Sequence, residues 1–179
     1  MRRTTIDRTL VPLPTAVVAI IPVSCALLGL IVTAVPISIS GGLLPPPMFA
    51  LMPIYFWCLV RPDLMPPAVV FAVGILEDLL MGGPPGLWAA SFVATYIFVD
   101  QQRDSLAGLA GWAAILGFAI AMLIASVSAF LIAWIYFWRL PTLEPLALQL
   151  AGSVLFFIPI VSILHWIHRR FVGPLRSDI

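Results

Sequence analysis

The residues best able to do chemistry are two adjacent acids, Glu77 and Asp78, in the stretch GILEDLLMGGPPG at residues 74–86. A catalytic acid pair needs a base, a nucleophile or a metal positioned beside it. The sequence contains no GxGD, GxSxG, HExxH or Walker pattern. We therefore expect a protein that is not an enzyme, with no catalytic residue, no cofactor and no metal site.

The composition around this acidic pair is that of an integral membrane protein. Hydrophobic residues make up 62% of the 179 residues and charged residues only 9%, against roughly 25% charged residues in an ordinary globular domain. No charge occurs from Thr9 to Val60 or from Ser105 to Trp138, and both runs exceed the ~20 apolar residues of one span. The net charge of +1 gives no reason to expect nucleic-acid binding.

Apolar segments predict six membrane spans, at about 15–39, 45–60, 65–81, 86–101, 108–138 and 145–167. Segments rich in Gly, Pro or charge separate them at 40–47, 61–63, 82–85, 100–104 and 139–141. The connections are short, so consecutive helices should pack antiparallel. The expected fold is an all-α bundle of six transmembrane helices, forming a single membrane domain over residues 1–179.

The distribution of Arg predicts the orientation of this bundle, because short cytoplasmic loops carry an excess of basic residues. With the N-terminus inside, the outer side holds only Arg139. The cytoplasmic side then holds Arg2, Arg3, Arg8, Arg61, Arg103, Arg169, Arg170 and Arg176. An even number of spans places both termini in the cytoplasm.

The fifth span carries a ridge of small side chains at every fourth position, which lets another helix approach closely in a membrane. The ridge consists of Ala113, Gly117, Ala121, Ala125, Ala129 and Ala133. Packing inside the chain is the favoured interpretation. A helix from another chain is the alternative.

The two acids cannot point in the same direction, because neighbouring residues of a helix lie ~100° apart. Asp78 has Gly74 and Gly82 four residues before and after it, so it lies in a groove cleared of side chains and is predicted to face inwards. Glu77 lies on another face and is predicted to sit near the interface. A capped helix end at the water boundary is the alternative, although negative charge opposes the dipole of a helix C-terminus.

A Gly- and Pro-rich turn follows the acids. Gly82, Gly83 and Gly86 offer backbone N–H groups that are expected to be free, and Pro84 and Pro85 stiffen the turn. Pro85 suits the first turn of the next helix. The hairpin could therefore recognise a headgroup or hold two helices together.

Residues 74–89, GILEDLLMGGPPGLWA, resemble the signature hairpin of the rod shape-determining protein MreD family, whose pattern is close to GLLxDxxxGxPxGxxA. Matching positions are Gly74, Asp78, Gly82, Pro84 or Pro85, and Gly86. Residues 53–62, PIYFWCLVRP, are similar to the family's aromatic segment, which ends in Arg61 and Pro62 here. Glu77 departs from the pattern as a second acid, and the aromatic residues are spaced differently.

The resemblance implies a non-enzymatic component of the bacterial inner membrane that works in cell elongation and lateral wall synthesis. Its expected partner is MreC, a single-span periplasmic protein, with MreB, RodA and a penicillin-binding transpeptidase in the same machinery and with membrane lipids around it. The family's fold is also said to resemble the substrate-capturing subunits of vitamin transporters. A carrier of a small molecule or lipid headgroup is therefore the alternative, and an enzyme acting on a lipid intermediate is a third possibility.

Overall fold

The structure, a computed structural model, describes residues 15–35, 45–107, 112–140 and 142–172. These ranges contain seven α-helices and no strand, so the all-α prediction is confirmed. The helices are α1 (Thr15–Ala34), α2 (Leu51–Val60), α3 (Pro67–Met81), α4 (Leu87–Gln101), α5 (Arg103–Ala107), α6 (Trp112–Phe137) and α7 (Leu143–Ile167). A 3₁₀ turn covers Pro62–Leu64, and a π-helical turn over His168–Val172 continues α7.

Two helices within the described ranges are long and apolar enough to cross a membrane: α6, over Ala113–Phe137, and α7 with its π-helical turn, over Leu143–Val172. A core helix of a soluble protein passes the same test, so this finding alone is weak evidence for a membrane protein. The six predicted spans are not confirmed, because α2, α3 and α4 have only 10, 15 and 15 residues. Predicted span residues at 36–39 and 108–111, and the Arg residues at 2, 3, 8 and 176, lie outside the described residues.

Proline chemistry explains where two of the helices begin. The predicted second span from residue 45 is wrong at its start, since residues 45–50 are not helical and α2 begins at Leu51. Three consecutive prolines at 45–47 remove backbone donors and force extended conformations on the residues before them. In the same way, Pro66 is extended and Pro67 is the first residue of α3, where its missing N–H costs nothing.

The predicted turn at 100–104 is largely helical. Helix α4 continues to Gln101 and α5 begins at Arg103, so the two are separated by Gln102 alone. Asp100 and Asp104 are exposed and Arg103 is partly exposed, so these charges reach the surface of the chain from within helical segments.

Helix α2 lies at the centre of the fold. All its residues from Leu51 to Cys58 are buried, and it contacts α1, α4, α6 and α7. Around it, α1, α3, α4, α6 and α7 contact one another in that order and form an arc. Tyr55 of α2 packs edge-on against Phe118 of α6 and Phe157 of α7, with ring centroids 5.5 and 5.7 Å away. These two phenyl rings stack at 4.0 Å, so aromatic contacts join three helices.

Helices α3 and α4 form a tight hairpin. A Cβ atom on Gly74 would overlap the backbone of Ala89, so only glycine permits this approach. The turn between the helices contains two residues with positive φ, Gly82 at 65° and Gly86 at 93°, a conformation that costs glycine little. Gly82 ends α3 in the left-handed conformation typical of a helix C-terminus.

We predict that Gly74→Ala destabilises the hairpin by about 1–3 kcal/mol, the cost of overpacking a well-packed contact. Gly83→Ala is the matched control, because a Cβ there would meet nothing within 4 Å. Thermal unfolding of the purified protein in mild detergent measures both. Equal melting temperatures for the two variants would contradict the close approach of α3 and α4.

Candidate functional site

The carboxylate of Asp78 binds the beginning of α4. Its Oδ2 accepts hydrogen bonds from the N–H of Gly86 at 2.8 Å and of Ala89 at 3.4 Å, and its Oδ1 accepts one from Trp88 at 2.8 Å. The side chain is 3% exposed. Asp78 therefore caps a helix that begins nine residues after it in the sequence, and its negative charge lies at the positive end of the α4 dipole.

Every N–H group in the first turn of α4 is accounted for. The first N–H groups of a helix have no partner within the helix. Here the N–H of Leu87 donates to the carbonyl of Pro84 at 3.2 Å, and Asp78 accepts from the N–H groups on either side. The prediction that the N–H of Gly86 is free is thus wrong, because this group donates to Asp78. Pro85 lies before α4 rather than in its first turn, since Gly86 is the N-cap.

Glu77 is also buried, which corrects its predicted place at the interface. Its side chain is 1% exposed, and neither carboxylate oxygen has a hydrogen-bond partner among the residues that the structure describes. The buried residues of α3 are Val70, Val73, Gly74, Glu77 and Asp78, a spacing of i, i+3, i+4, i+7 and i+8. Such a stripe is at least ~100° wide, so it covers two adjacent positions.

The environment of Glu77 differs from that of Asp78 in its hydrogen-bond donors. A buried carboxylate without donors costs several kcal/mol, and the neighbouring Asp78 adds a like charge. The turn between α3 and α4 supplies no hydrogen-bond donor to Glu77, because the N–H groups that face the two acids donate to Asp78. Asp78 is therefore the satisfied, structural acid and Glu77 the unsatisfied one.

Arg61 and Pro62 do not join this site, because they lie before α3 while Asp78 lies in its last turns. Arg61 forms a two-pronged ion pair with Asp63, with Nε and Nη2 at 3.0 and 2.8 Å from the two carboxylate oxygens. These hydrogen bonds lower the pKa of Asp63 and raise the pKa of Arg61. Pro62 begins the 3₁₀ turn. The pair joins two residues of the connection between α2 and α3 at the surface.

The small-residue ridge of α6 faces the inside of the chain along its middle. Gly117, Ala121 and Ala125 are buried, as is Ala129, whereas Ala113 and Ala133 at the two ends are partly exposed. A Cβ on Gly117 would overlap the hydroxyl of Tyr55. The packing favours the internal interpretation of this ridge over a helix from another chain.

Two polar residues of α7, Gln149 and Ser153, hold the non-helical segment before α2 in place. Gln149 Nε2 donates to the carbonyl of Pro46 at 3.1 Å, and the N–H of Met48 donates to Ser153 Oγ at 3.0 Å. Ser153 in turn donates to the carbonyl of Gln149 at 2.6 Å. Neither residue was predicted from the sequence. The available signal was two polar residues four apart, hence on one face, in the apolar middle of the helix.

No metal site is found among the described residues, where no three His, Cys, Asp or Glu side chains lie together. The anion site at the start of α4 is filled by the chain's own carboxylate. The carboxylate of Asp78 thus joins the end of α3 to the beginning of α4.

We predict that Asp78→Asn lowers the free energy of unfolding by about 2 kcal/mol or more, because hydrogen bonds to a charged group contribute roughly 1.5–3 kcal/mol. The amide nitrogen of Asn would also face an N–H group that needs an acceptor. Glu77→Gln is the isosteric control and should cost less, since its oxygens accept no hydrogen bond within the described chain. Denaturant unfolding in detergent compares the two, and an Asp78→Asn variant as stable as the wild type would refute the cap.

Ser153→Ala should destabilise the protein by about 1–3 kcal/mol, because it leaves the buried N–H of Met48 without an acceptor. Ser162→Ala is the control, as its exposed hydroxyl bonds only to the carbonyl four residues earlier in α7. Proteolysis near residues 45–50 should increase for the first variant alone. Equal cleavage of both variants would show that Ser153 does not hold this segment.

Comparison with known proteins gives no family assignment. No protein-family model, no curated protein and no solved structure matches this chain. The resemblance of residues 74–89 to the MreD pattern therefore stays a hypothesis, and the function is argued from the geometry of the chain's own residues.

Proposed function

We propose that this chain is a non-enzymatic scaffold of the MreD type in the bacterial inner membrane, with six spans and both termini in the cytoplasm. It would bind MreC through its transmembrane helices within the cell-elongation machinery that includes MreB, RodA and a penicillin-binding transpeptidase. The observation that carries the proposal is the closed hairpin between α3 and α4.

The positions that resemble the MreD pattern have structural tasks in this hairpin. Gly74 permits the close approach of the helices, Gly82 and Gly86 adopt positive φ angles, and Asp78 caps α4. A set of residues that fixes the distance and angle of two helices is what a scaffold requires. A ligand pocket would instead leave polar groups of the turn available.

Exposed apolar side chains support the membrane part of the proposal. On α3, Leu76, Leu79 and Leu80 are 41–71% exposed, and large contiguous apolar surfaces are uncommon on soluble monomers. An exposed aromatic cluster, residues 134 and 136–138, ends α6 beside Arg139, as expected at a membrane interface. In the non-helical segment before α2, Met48 and Ala50 are buried. The carbonyl of Pro46 and the N–H of Met48 bond to α7, which is how irregular backbone is satisfied at membrane depth.

A carrier of a small molecule or lipid headgroup is the second candidate, and Glu77 is the observation that favours it. A buried carboxylate with two unpartnered oxygens could accept hydrogen bonds from a ligand. Asp78, the acid at the matching position of the pattern, is already occupied by backbone N–H groups. The scaffold is preferred because it accounts for all the residues that shape the hairpin, whereas the carrier accounts for Glu77 alone.

Co-purification with MreC tests the scaffold. We expect MreC to elute with the wild type and with the Ser162→Ala control in mild detergent, and to be reduced several-fold with Asp78→Ala, because the hairpin then loses its cap. Detergent conditions must preserve another known helix pair. Absence of MreC from the wild-type sample under those conditions would exclude the scaffold.

Cell shape and solute uptake separate the two candidates. Rounded cells carrying Asp78→Ala with unchanged uptake of solutes would support the scaffold. Loss of uptake of one solute in Glu77→Gln, with normal cell shape, would support the carrier instead.

A further inference from the structure

The end of α7 and its π-helical turn carry two arginine and two aromatic side chains on the surface. Arg169 and Arg170 are exposed, and Trp166 and Phe171 are 61% and 46% exposed. We call these four residues the α7 patch. Positive charge and aromatic rings side by side are typical of protein surfaces at the boundary between membrane and water.

The charges of the α7 patch have no counter-charge within the described ranges. The one ion pair found there joins Arg61 to Asp63, so Arg169 and Arg170 contact no carboxylate of the described chain. The only acid of α7 is Glu144, in its first turn at the opposite end of the helix. The two guanidinium groups are therefore free to bind an anion from outside.

The π-helical turn over His168–Val172 directs the patch outwards. At its start, the ring of His168 packs edge-on against Phe56 and Trp57 of α2, with centroid distances of 6.4 and 5.8 Å. At its end, Val172 packs against the hydrophobic core. Both ends of the turn thus face the inside of the chain, and the three residues between them are exposed.

The aromatic part of the patch continues an exposed apolar face of α7. Hydrogen bonds of a π-helix join residues five apart, and Phe171 lies edge-on to Trp166, five residues earlier, with ring centroids 6.1 Å apart. Phe156 and Ile163, seven residues apart and 42% and 56% exposed, lie on the same face as Trp166. Arg170 follows Trp166 by four residues, so this apolar face ends in a positive charge.

We propose that the α7 patch binds the headgroup of an anionic phospholipid. Arg169 and Arg170 would contact its phosphate, since guanidinium groups form charge-assisted hydrogen bonds with phosphate oxygens. Its acyl chains would lie along the apolar face that includes Ile163 and Trp166. A phospholipid has the same order of apolar and charged parts as this face, whereas a soluble acidic protein would match the charge alone.

This inference rests on the proposed function for the membrane setting and for the cytoplasmic position of the patch. The cytoplasmic leaflet carries anionic lipids, which attract basic residues next to a membrane helix. The proposal adds a lipid site at the end of α7, away from the α3–α4 hairpin.

Native mass spectrometry of the full-length protein in mild detergent tests the site. Phosphatidylglycerol and phosphatidylcholine with identical acyl chains are titrated separately, and bound lipid is counted. We expect the wild type to prefer phosphatidylglycerol, by about fivefold for each Arg that contacts the phosphate, which corresponds to ~1 kcal/mol per basic residue. This preference should fall as salt is raised. An equal affinity for the two lipids, or a preference that salt does not change, overturns the proposal.

Charge-removing variants test the position of the site. Arg169→Gln and Arg170→Gln should each lower the preference for phosphatidylglycerol about fivefold and leave phosphatidylcholine binding unchanged. Both side chains are exposed, so these variants keep the packing of the chain. Arg139→Gln, at the exposed Arg after α6, is the matched control and should keep the full preference. A preference that survives Arg169→Gln together with Arg170→Gln, or that Arg139→Gln lowers equally, overturns the proposal.

Two competitors distinguish the lipid from other anions. Inorganic phosphate that displaces phosphatidylglycerol at equal concentration would assign the patch to a free anion. Polyglutamate that binds the wild type, is lost in the Arg variants and displaces the lipid would assign it to an acidic protein. Either displacement overturns the lipid site, and its absence supports it.

MreC separates this inference from the proposed function. Recovery of MreC by a wild type without lipid preference overturns the lipid site and leaves the scaffold standing. A lipid preference that the Arg variants remove, in a protein that does not recover MreC, supports the lipid site and excludes the scaffold.

Discussion

In a chain with so few polar side chains, the N–H groups that begin a helix need an acceptor, and for α4 the acceptor is Asp78. Three N–H groups converge on its carboxylate, so the end of α3 and the beginning of α4 are held at one distance. Helix α4 then contacts both α2 and α6. Without this carboxylate, the first turn of α4 would carry unpaired donors in an apolar environment, and its contacts with the rest of the arc would lose their anchor.

The same constraint operates where the backbone enters α2. Three prolines interrupt the helix, and the polar backbone atoms of Pro46 and Met48 find partners in Gln149 and Ser153. At both interruptions of helical structure, polar side chains from another helix form hydrogen bonds with backbone groups that would bind water in a soluble protein. The buried polar residues of this chain thus serve its own backbone first, and a functional role must be sought among those with no such task.

The sequence predicts these features to different degrees. The spacing of Gly74, Asp78 and Gly82 was enough to place Asp78 towards the neighbouring helix, because four-residue spacing fixes a helix face. Glu77 was misplaced because two residues ~100° apart can both lie within a buried stripe of that width. The hydrogen bonds from α7 to the segment before α2 join residues more than 100 apart in the sequence. No local sequence pattern specifies such a contact. Six spans could be predicted from composition, but helix length depends on where prolines and glycines end each helix, and this leaves α2 with 10 residues.

Lack of a partner does not by itself mark a binding site. The Tyr55 hydroxyl and the Trp57 indole N–H are also buried and unpartnered, yet both belong to side chains of α2 whose rings fill the centre of the fold. Ser126 is similar, because its Oγ is buried although the residue borders the groove between α6 and α7. Glu77 is enclosed within the buried stripe of α3, and a partner helix could reach it only by separating α3 from its neighbours. Asp78, whose carboxylate binds the beginning of α4, is therefore the acid with a defined structural role, and the hairpin is the element that keeps α3 and α4 at one distance.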